Sequence, residues 1–128
     1  MRISDAIRFG CIGTEQCHDR LKLFEDAKEK TCALGAALIG VGIPFSEIEE
    51  SYQWKGILPD IIQVVPHDLL VKTLGSGSPR LWTSFIVELN DTKKWTREAI
   101  ADFLDEHLYR ENTIKTEIGA GQAIPSSV

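Results

Sequence analysis

Three side chains that could carry out nucleophilic chemistry follow one another along the chain as Cys32, His67 and Asn90. The apolar run that starts at Cys32 predicts a helix capped by Thr31, which places the cysteine in the first turn. Free backbone N–H groups at that position stabilise a thiolate. Cys32 is therefore a candidate nucleophile of a cysteine-dependent hydrolase or transferase, with His67 and Asn90 as its candidate catalytic partners.

A structural interpretation of Cys32 competes with this one. Papain-like and related cell-wall peptidases use the same order of cysteine, histidine and asparagine, but they hold the last two on an antiparallel sheet. Here the sequence predicts at most one or two short strands after Cys32. The alanines and glycines around Cys32 also suit a small buried residue in a tightly packed helix. We favour this second interpretation and assign no catalytic residue from the sequence.

The pair Asn90-Asp91 lies five residues before the last predicted helix, and Trp95 lies directly before that helix. Asparagine and aspartate side chains commonly bond local backbone groups and so shape turns. The same side chains could instead contact a polar ligand between two helices. Asn90, Asp91 and Trp95 are therefore the candidate binding residues of a small-molecule binding protein.

Metal and nucleotide signals are weak. Cys11, Cys17, His18 and Cys32 are spaced C-x5-C-H-x13-C, which matches no familiar zinc pattern, and Cys17 and His18 are expected on the solvent side of a polar loop. The glycine-rich run 75–79 lacks the Lys-Ser/Thr ending of a phosphate-binding loop. The sequence therefore predicts no metal and no cofactor.

The overall composition indicates a soluble globular protein. The 128 residues are 43% hydrophobic and 26% charged, with a net charge of −5. The sequence lacks the basic stripe that is typical of nucleic-acid-binding proteins, so no nucleic-acid partner is expected. An odd number of cysteines and an N-terminus without an apolar stretch favour a reducing cytoplasm. The longest nearly apolar run, Cys32 to Pro44, is too short to cross a membrane, which needs about 20 residues.

The first half of the chain predicts three helices. The first has Ser4 as its N-cap and ends near Gly10 or Gly13. A weaker helix within 14–30 follows from the spacing of Leu21, Phe24 and Ala27. The run 32–41 is apolar on every face and rich in small residues, which predicts a central helix that other elements cover on all sides.

The second half predicts short helices around one short strand. Ser46 to Glu49 forms a capping box for an acidic helix to about Tyr52, and the β-branched run 61–65 predicts the strand. Three further helices are predicted at 66–74, at about 81–89 and, with Thr96 as N-cap, from about 97. The chain is thus predicted to be mostly α, a single multi-helix domain over residues 1–112 with a mobile or partner-bound tail over 113–128.

Two segments resemble a family of small uncharacterised bacterial and phage proteins. The shared pattern is Cys-Ala-x-Gly-Ala, then Asn-Asp, then a helix with Thr/Ser-x-Glu-x-Ile/Val, which this chain carries from Cys32, from Asn90 and from Thr96. The opening Ile3-Ser-Asp-Ala-Ile-Arg8 resembles the start of some members. Some relatives have cysteines where this chain has Leu58-Pro-Asp60. The resemblance implies a helical domain in a bacterial or phage setting.

Every stand-out residue has a sufficient structural interpretation, so the sequence favours a non-enzymatic interaction or regulatory module. The partner would be another protein or a second copy of the chain, since the three tryptophans are typical of interfaces. The cysteine-dependent enzyme and the small-molecule binding protein remain the alternatives.

Overall fold

An alanine- and glycine-rich helix lies at the centre of the fold, as its composition predicts. In the computed structural model, which describes residues 1–49 and 54–109, this helix runs Ala33–Gly40. Ala36, Ala37 and Leu38 have no exposed surface. Because this helix has no polar face to offer to water, the other elements pack around it.

The described ranges contain five α-helices and three short strands, and the predicted fold class, a mostly α single domain with short strands, is confirmed. In chain order the elements are α1 Ile3–Cys11, β1 Glu15–Gln16, β2 Lys22–Glu25, β3 Lys28–Thr31, α2 Ala33–Gly40, α3 His67–Leu74, α4 Trp82–Asp91 and α5 Arg97–Leu104. Single 3-10 turns occur at Phe45–Glu47, Trp54–Gly56 and Pro59–Ile62, and a π-helical turn at Asp105–Tyr109 continues α5. None of these helices is long and apolar enough to cross a membrane.

Helices α1 and α2 approach each other closely through glycines. A Cβ atom added at Gly10 would lie 1.9 Å from the carbonyl oxygen of Ala36, and one at Gly40 would lie 2.0 Å from that of Ala6. Only a residue without a side chain fits at such contacts. The small residues of the two helices therefore set how closely α1 packs on the central helix.

The predicted helix within residues 14–30 is wrong, because this segment forms the three-stranded sheet in the order β1-β3-β2. β1 pairs parallel to β3, and β2 pairs antiparallel to β3 in the register Lys22↔Thr31 to Glu25↔Lys28. The hairpin turn places Asp26 and Ala27 at φ 55° and 60°. Two consecutive left-handed residues suit a two-residue hairpin turn and are incompatible with a helix.

The predicted N-cap of α1 is also wrong. The N-cap position is Arg2, and no side chain caps the helix there. Ser4 lies inside the helix, where its buried hydroxyl donates to Asp105 Oδ1 at 2.5 Å. Arg8 reaches the other oxygen of Asp105 at 2.7 Å, so this side of α1 is joined to the end of α5.

The capping box at Ser46 is not used. The chain forms a single 3-10 turn over Phe45–Glu47 after Pro44, and Ile48 is already extended. The rest of the predicted acidic helix, to about Tyr52, lies within the segment 50–53, which is outside the described residues. The predicted C-terminal tail lies within 110–128, which is also outside them.

From Pro66 onward, local signals predict the three remaining helices correctly. α3 follows Pro66 and ends at Gly75, which adopts φ 75°, and Thr96 caps α5 by accepting a hydrogen bond from the Ala99 N–H at 3.1 Å. The predicted strand at 61–65 is reduced to one bridge between Val64 and Leu81. Phe85, Ile86, Leu89, Ile100 and Leu104 join α4 and α5 in the core and are wholly buried.

Candidate functional site

A buried polar cluster lies where β1, the end of β3, the start of α2 and the end of α4 meet. Its centre is Asn90, whose side chain has no exposed surface. Asn90 Oδ1 accepts from Gln16 Nε2 at 2.9 Å and from the Ala33 N–H at 3.1 Å. Asn90 Nδ2 donates to the Cys17 carbonyl at 3.0 Å and to Asp91 Oδ1 at 2.6 Å.

The Asn90 amide takes the place of a missing step in the parallel β1–β3 ladder. The Cys17 N–H donates to the Thr31 carbonyl at 3.0 Å. In a continuing parallel ladder the Cys17 carbonyl would then accept from the Ala33 N–H. The chain turns into α2 at this point, and the amide of Asn90 bridges the two separated backbone groups instead. All four hydrogen bonds of Asn90 are thus made within the protein.

Cys32, and not the predicted Thr31, is the N-cap of α2. Its Sγ accepts a hydrogen bond from the Gly35 N–H at 3.4 Å, while Thr31 is the last residue of β3. Burial raises the pKa of the Cys32 thiol to about 12, against the opposing hydrogen bonds from the Gly35 and Leu34 N–H groups. Burial therefore disfavours the thiolate form that a catalytic cysteine requires at neutral pH.

His67 is not brought to Cys32 or Asn90. It is the first residue of α3, and its imidazole lies against Gly77, where an added Cβ would be 2.2 Å from His67 Cε1. Among the described residues no hydrogen bond links His67 to either of the other two. The structure therefore brings together Cys32 and Asn90 of the three candidate catalytic residues, and it does so through backbone groups.

Arg97 is the main residue of the cluster that sequence reasoning missed. It is only 5% exposed, and its guanidinium donates to the hydroxyls of Thr14 and Thr31 at 2.8 and 2.9 Å and to the Thr14 carbonyl at 2.7 Å. The Thr14 hydroxyl in turn donates to the Gly10 carbonyl at 2.7 Å. The buried cation therefore lies at the negative C-terminal end of α1, which favours a positive charge.

A signal for Arg97 was present in the sequence. It is the first residue of α5, where the helix macrodipole disfavours a cation. An arginine at such a position is expected to have a partner elsewhere in the fold. Gln16, the other missed residue, also links distant segments, since its Nε2 donates to the Trp95 carbonyl at 2.8 Å as well as to Asn90.

The two other candidate binding residues lie at the edge of the cluster. Asp91 is half-buried and accepts from Asn90. Trp95 is held through its backbone carbonyl by Gln16, and its ring contacts Phe103 edge-on, with ring centroids 5.3 Å apart. Whether these side chains bind a ligand stays a prediction from the sequence.

The three cysteines are free thiols. Within the described ranges, no group of three or more His, Cys, Asp or Glu side chains is placed to hold a metal ion. Cys17 is only 5% exposed, so its expected place on the solvent side of a loop is wrong. Burial raises the pKa of Cys17, and it raises that of Cys11 to about 11. The buried cluster thus holds its polar groups in fixed hydrogen bonds, and burial disfavours the charged thiolate form of its cysteines.

The surface near β1 carries large apolar side chains that are exposed to water. Phe9, Ile12 and Phe24 are 61%, 83% and 65% exposed, although each is a large apolar residue. Ile12 and Phe24 line one open concavity of about 600 Å³, whose rim includes Glu15 and Lys28. Phe9 lies one helical turn before Ile12. We call these three side chains the interaction face.

A second concavity of about 260 Å³ is lined by Pro66, Asp68, Leu69, Lys72 and His107. The His107 ring contacts the Phe103 ring at a tilt, with ring centroids 4.3 Å apart. Comparison of the chain with protein-family models, curated proteins and solved structures finds no match.

Proposed function

We propose that this chain is a non-enzymatic interaction or regulatory module of a bacterial or phage cytoplasm that binds another protein chain through the interaction face. One contrast supports this proposal. The side chains that could do chemistry, above all Cys32 and Asn90, are buried and hydrogen-bonded to the protein itself. Phe9, Ile12 and Phe24 extend into water instead.

Exposed apolar side chains on one surface are typical of protein–protein contacts. Water contact with a large apolar side chain is unfavourable by about 25 cal/mol for each Å². A partner that covers all three side chains would therefore gain several kcal/mol before the entropy of association is subtracted.

The partner that we infer is a second copy of the chain. The concavity between Ile12 and Phe24 has charges of both signs on its rim, with Lys28 Nζ 3.1 Å from Glu15 Oε2 and Glu29 nearby. In a twofold dimer the same patch meets itself. A rim that carries both signs lets each lysine of one copy face a carboxylate of the other, with the apolar side chains between them.

The test is the dependence of the molecular mass on concentration, measured by sedimentation equilibrium on the full chain. Concentrations from about 1 µM to about 500 µM cover dissociation constants in the micromolar range. The double variant Ile12→Ser with Phe24→Ser is expected to weaken the dimer at least about tenfold, or roughly 1.4 kcal/mol. Val71→Ser is the matched control, since Val71 is 45% exposed on α3 and outside the interaction face.

Two results would contradict the dimer. One is a wild-type chain that stays monomeric at every concentration, which would leave an unlike protein as the only occupant of the face. The other is an equal loss of association in the Val71→Ser control. Folding of each variant is checked by far-UV circular dichroism.

The rival enzyme is tested separately with iodoacetamide. A catalytic Cys32 would be alkylated first among the three cysteines of the native protein, whereas the raised pKa and burial of its thiol predict that it reacts last. Peptide mass spectrometry of the time course gives the order. Fast and selective modification of Cys32 would overturn the non-enzymatic proposal, whatever the oligomeric state.

A further inference from the structure

Cys17 and Cys32 directly follow β1 and β3, the two strands that pair in parallel. The paired residues are Glu15↔Lys30 and Gln16↔Thr31, and the next step of that register is Cys17↔Cys32. The hydrogen bond from the Cys17 N–H to the Thr31 carbonyl, 3.0 Å long, shows that the two chains are still adjacent at this step. The two cysteines are therefore neighbours in space although 15 positions separate them in the sequence.

The geometry of this step suits a disulfide. Neighbouring strands lie about 4.8 Å apart, and paired residues of parallel strands point to the same face of the sheet. Disulfides join Cα atoms that are roughly 4.4–6.8 Å apart. Cys17 and Cys32 are each only 5% exposed, so both are buried where the two strands end.

The present hydrogen bonds of the two thiols are long. Cys17 Sγ donates to the Arg20 carbonyl at 3.5 Å, and Cys32 Sγ accepts from the Gly35 N–H at 3.4 Å. Turning both thiols toward each other would replace two weak interactions by one covalent bond. The third cysteine is placed differently, because Cys11 lies at the end of α1 beside Arg97 and Glu98.

We propose that Cys17 and Cys32 form a reversible modification site, at which a low-molecular-weight disulfide such as glutathione disulfide oxidises the two thiols to an intramolecular disulfide. The Cys17 thiolate attacks one sulfur of the small disulfide, which forms a mixed disulfide and releases one thiolate. The Cys32 thiolate then attacks the Cys17 sulfur and releases the second. The protein loses two protons and two electrons, and the small disulfide becomes two thiols.

Oxidation would act on the surface that carries the interaction face. The new bond closes the segment 18–31, which contains the hairpin of β2 and β3 and hence Phe24. It also removes the Cys32 sulfur from the N-terminus of α2, where it caps the Gly35 N–H. The bond would thus fix the hairpin to the central helix, and thiol reductants would release it.

The experiment incubates the full-length native chain with glutathione disulfide, quenches the free thiols with iodoacetamide in denaturant and digests the product after glutamate. Cleavage after Glu15 separates Cys11 from Cys17, so the bridge would join the peptide Gln16–Glu25 to the peptide Lys30–Glu47. The intact protein is expected to lose about 2 Da and to carry one alkylated cysteine, Cys11, and dithiothreitol should restore three.

Two variants serve as controls. Cys11→Ser should form the same bridged peptide pair. Cys17→Ser should form none and give only a mixed disulfide with glutathione. The central measurement is made on the wild-type chain, so it does not depend on the folding of either variant.

The proposal is overturned if the oxidised wild-type chain carries a bridge to Cys11, if it stops at a mixed disulfide, or if three cysteines remain alkylatable after prolonged oxidation. A bridge found only when oxidation is done in denaturant would overturn it as well, because the pairing would then not come from the native register. None of these outcomes depends on whether the chain dimerises.

Discussion

Replacing Asn90 by alanine tests the central claim about the buried cluster, that this side chain completes the junction between β1 and α2. The variant removes both the acceptor for the Ala33 N–H and the donor to the Cys17 carbonyl, which are 3.1 and 3.0 Å from the amide. Both backbone groups lie in the interior and lose a hydrogen-bond partner. Gln16 Nε2 keeps its bond to the Trp95 carbonyl.

The expected loss of stability follows from these groups. A buried donor or acceptor left without a partner costs about 1–3 kcal/mol, so the two backbone groups together account for roughly 2–6 kcal/mol. This is a large part of the roughly 5–15 kcal/mol that stabilises a domain of this size. The matched variant Asp91→Ala removes one acceptor from Asn90 Nδ2 and leaves the Cys17 bond in place, and it should cost about 1 kcal/mol or less.

The free energy of unfolding of each variant is measured by urea titration with circular dichroism, with the slope on denaturant as a check that the transition is unchanged. If Asn90→Ala costs less than about 1 kcal/mol at an unchanged slope, the bridging role of the amide is refuted. A cost for Asp91→Ala equal to that of Asn90→Ala would also refute it, since the effect would then come from the pair and not from the bridge.

Three further predictions concern the same packing. Arg97→Met should lower the free energy of unfolding by about 1–3 kcal/mol, because it leaves the Thr14 carbonyl without its guanidinium donor, and the absence of a loss in urea unfolding would contradict this. Gly10→Ala should destabilise the protein by at least about 2 kcal/mol, despite the better helix propensity of alanine. Gly13→Ala is the control and should change stability little, because no atom lies within 4 Å of its new Cβ. Equal effects of the two variants in thermal unfolding would contradict the close contact between α1 and α2. Burial disfavours the charged form of Asp105, yet hydrogen bonds from Ser4 and an arginine outweigh it and hold the pKa below its usual range. This carboxylate therefore adds stability above its unfolded pKa of about 3.9 that is lost as the pH falls through the lower folded value. Ser4→Ala should raise the pKa in an NMR titration, and no change would contradict the assignment.

Part of this fold is encoded by signals that span only a few residues. Pro66 and Gly75 bound α3, Thr96 caps α5, and the apolar composition around Ala36 requires a helix that is covered on every side. These features depend on backbone geometry within one or two turns, so the sequence alone determines them. The uncovered positions Ile12 and Phe24 are different, since apolar residues do not show by type alone whether the fold will bury them.

The tertiary structure decided the sheet and the cluster. Ser4, Thr31 and Ser46 all have the type of an N-cap, but only the packed fold determines whether such a hydroxyl bonds its own helix or a distant partner. Asn90 bonds to groups that are 57 to 74 positions away, and Arg97 to groups 66 and 83 away. Local patterns carry no information on pairs so far apart. The sequence therefore determined that a buried, small-residue helix follows Thr31, and the tertiary structure decided that the Cys32 thiol, and not the Thr31 hydroxyl, caps that helix.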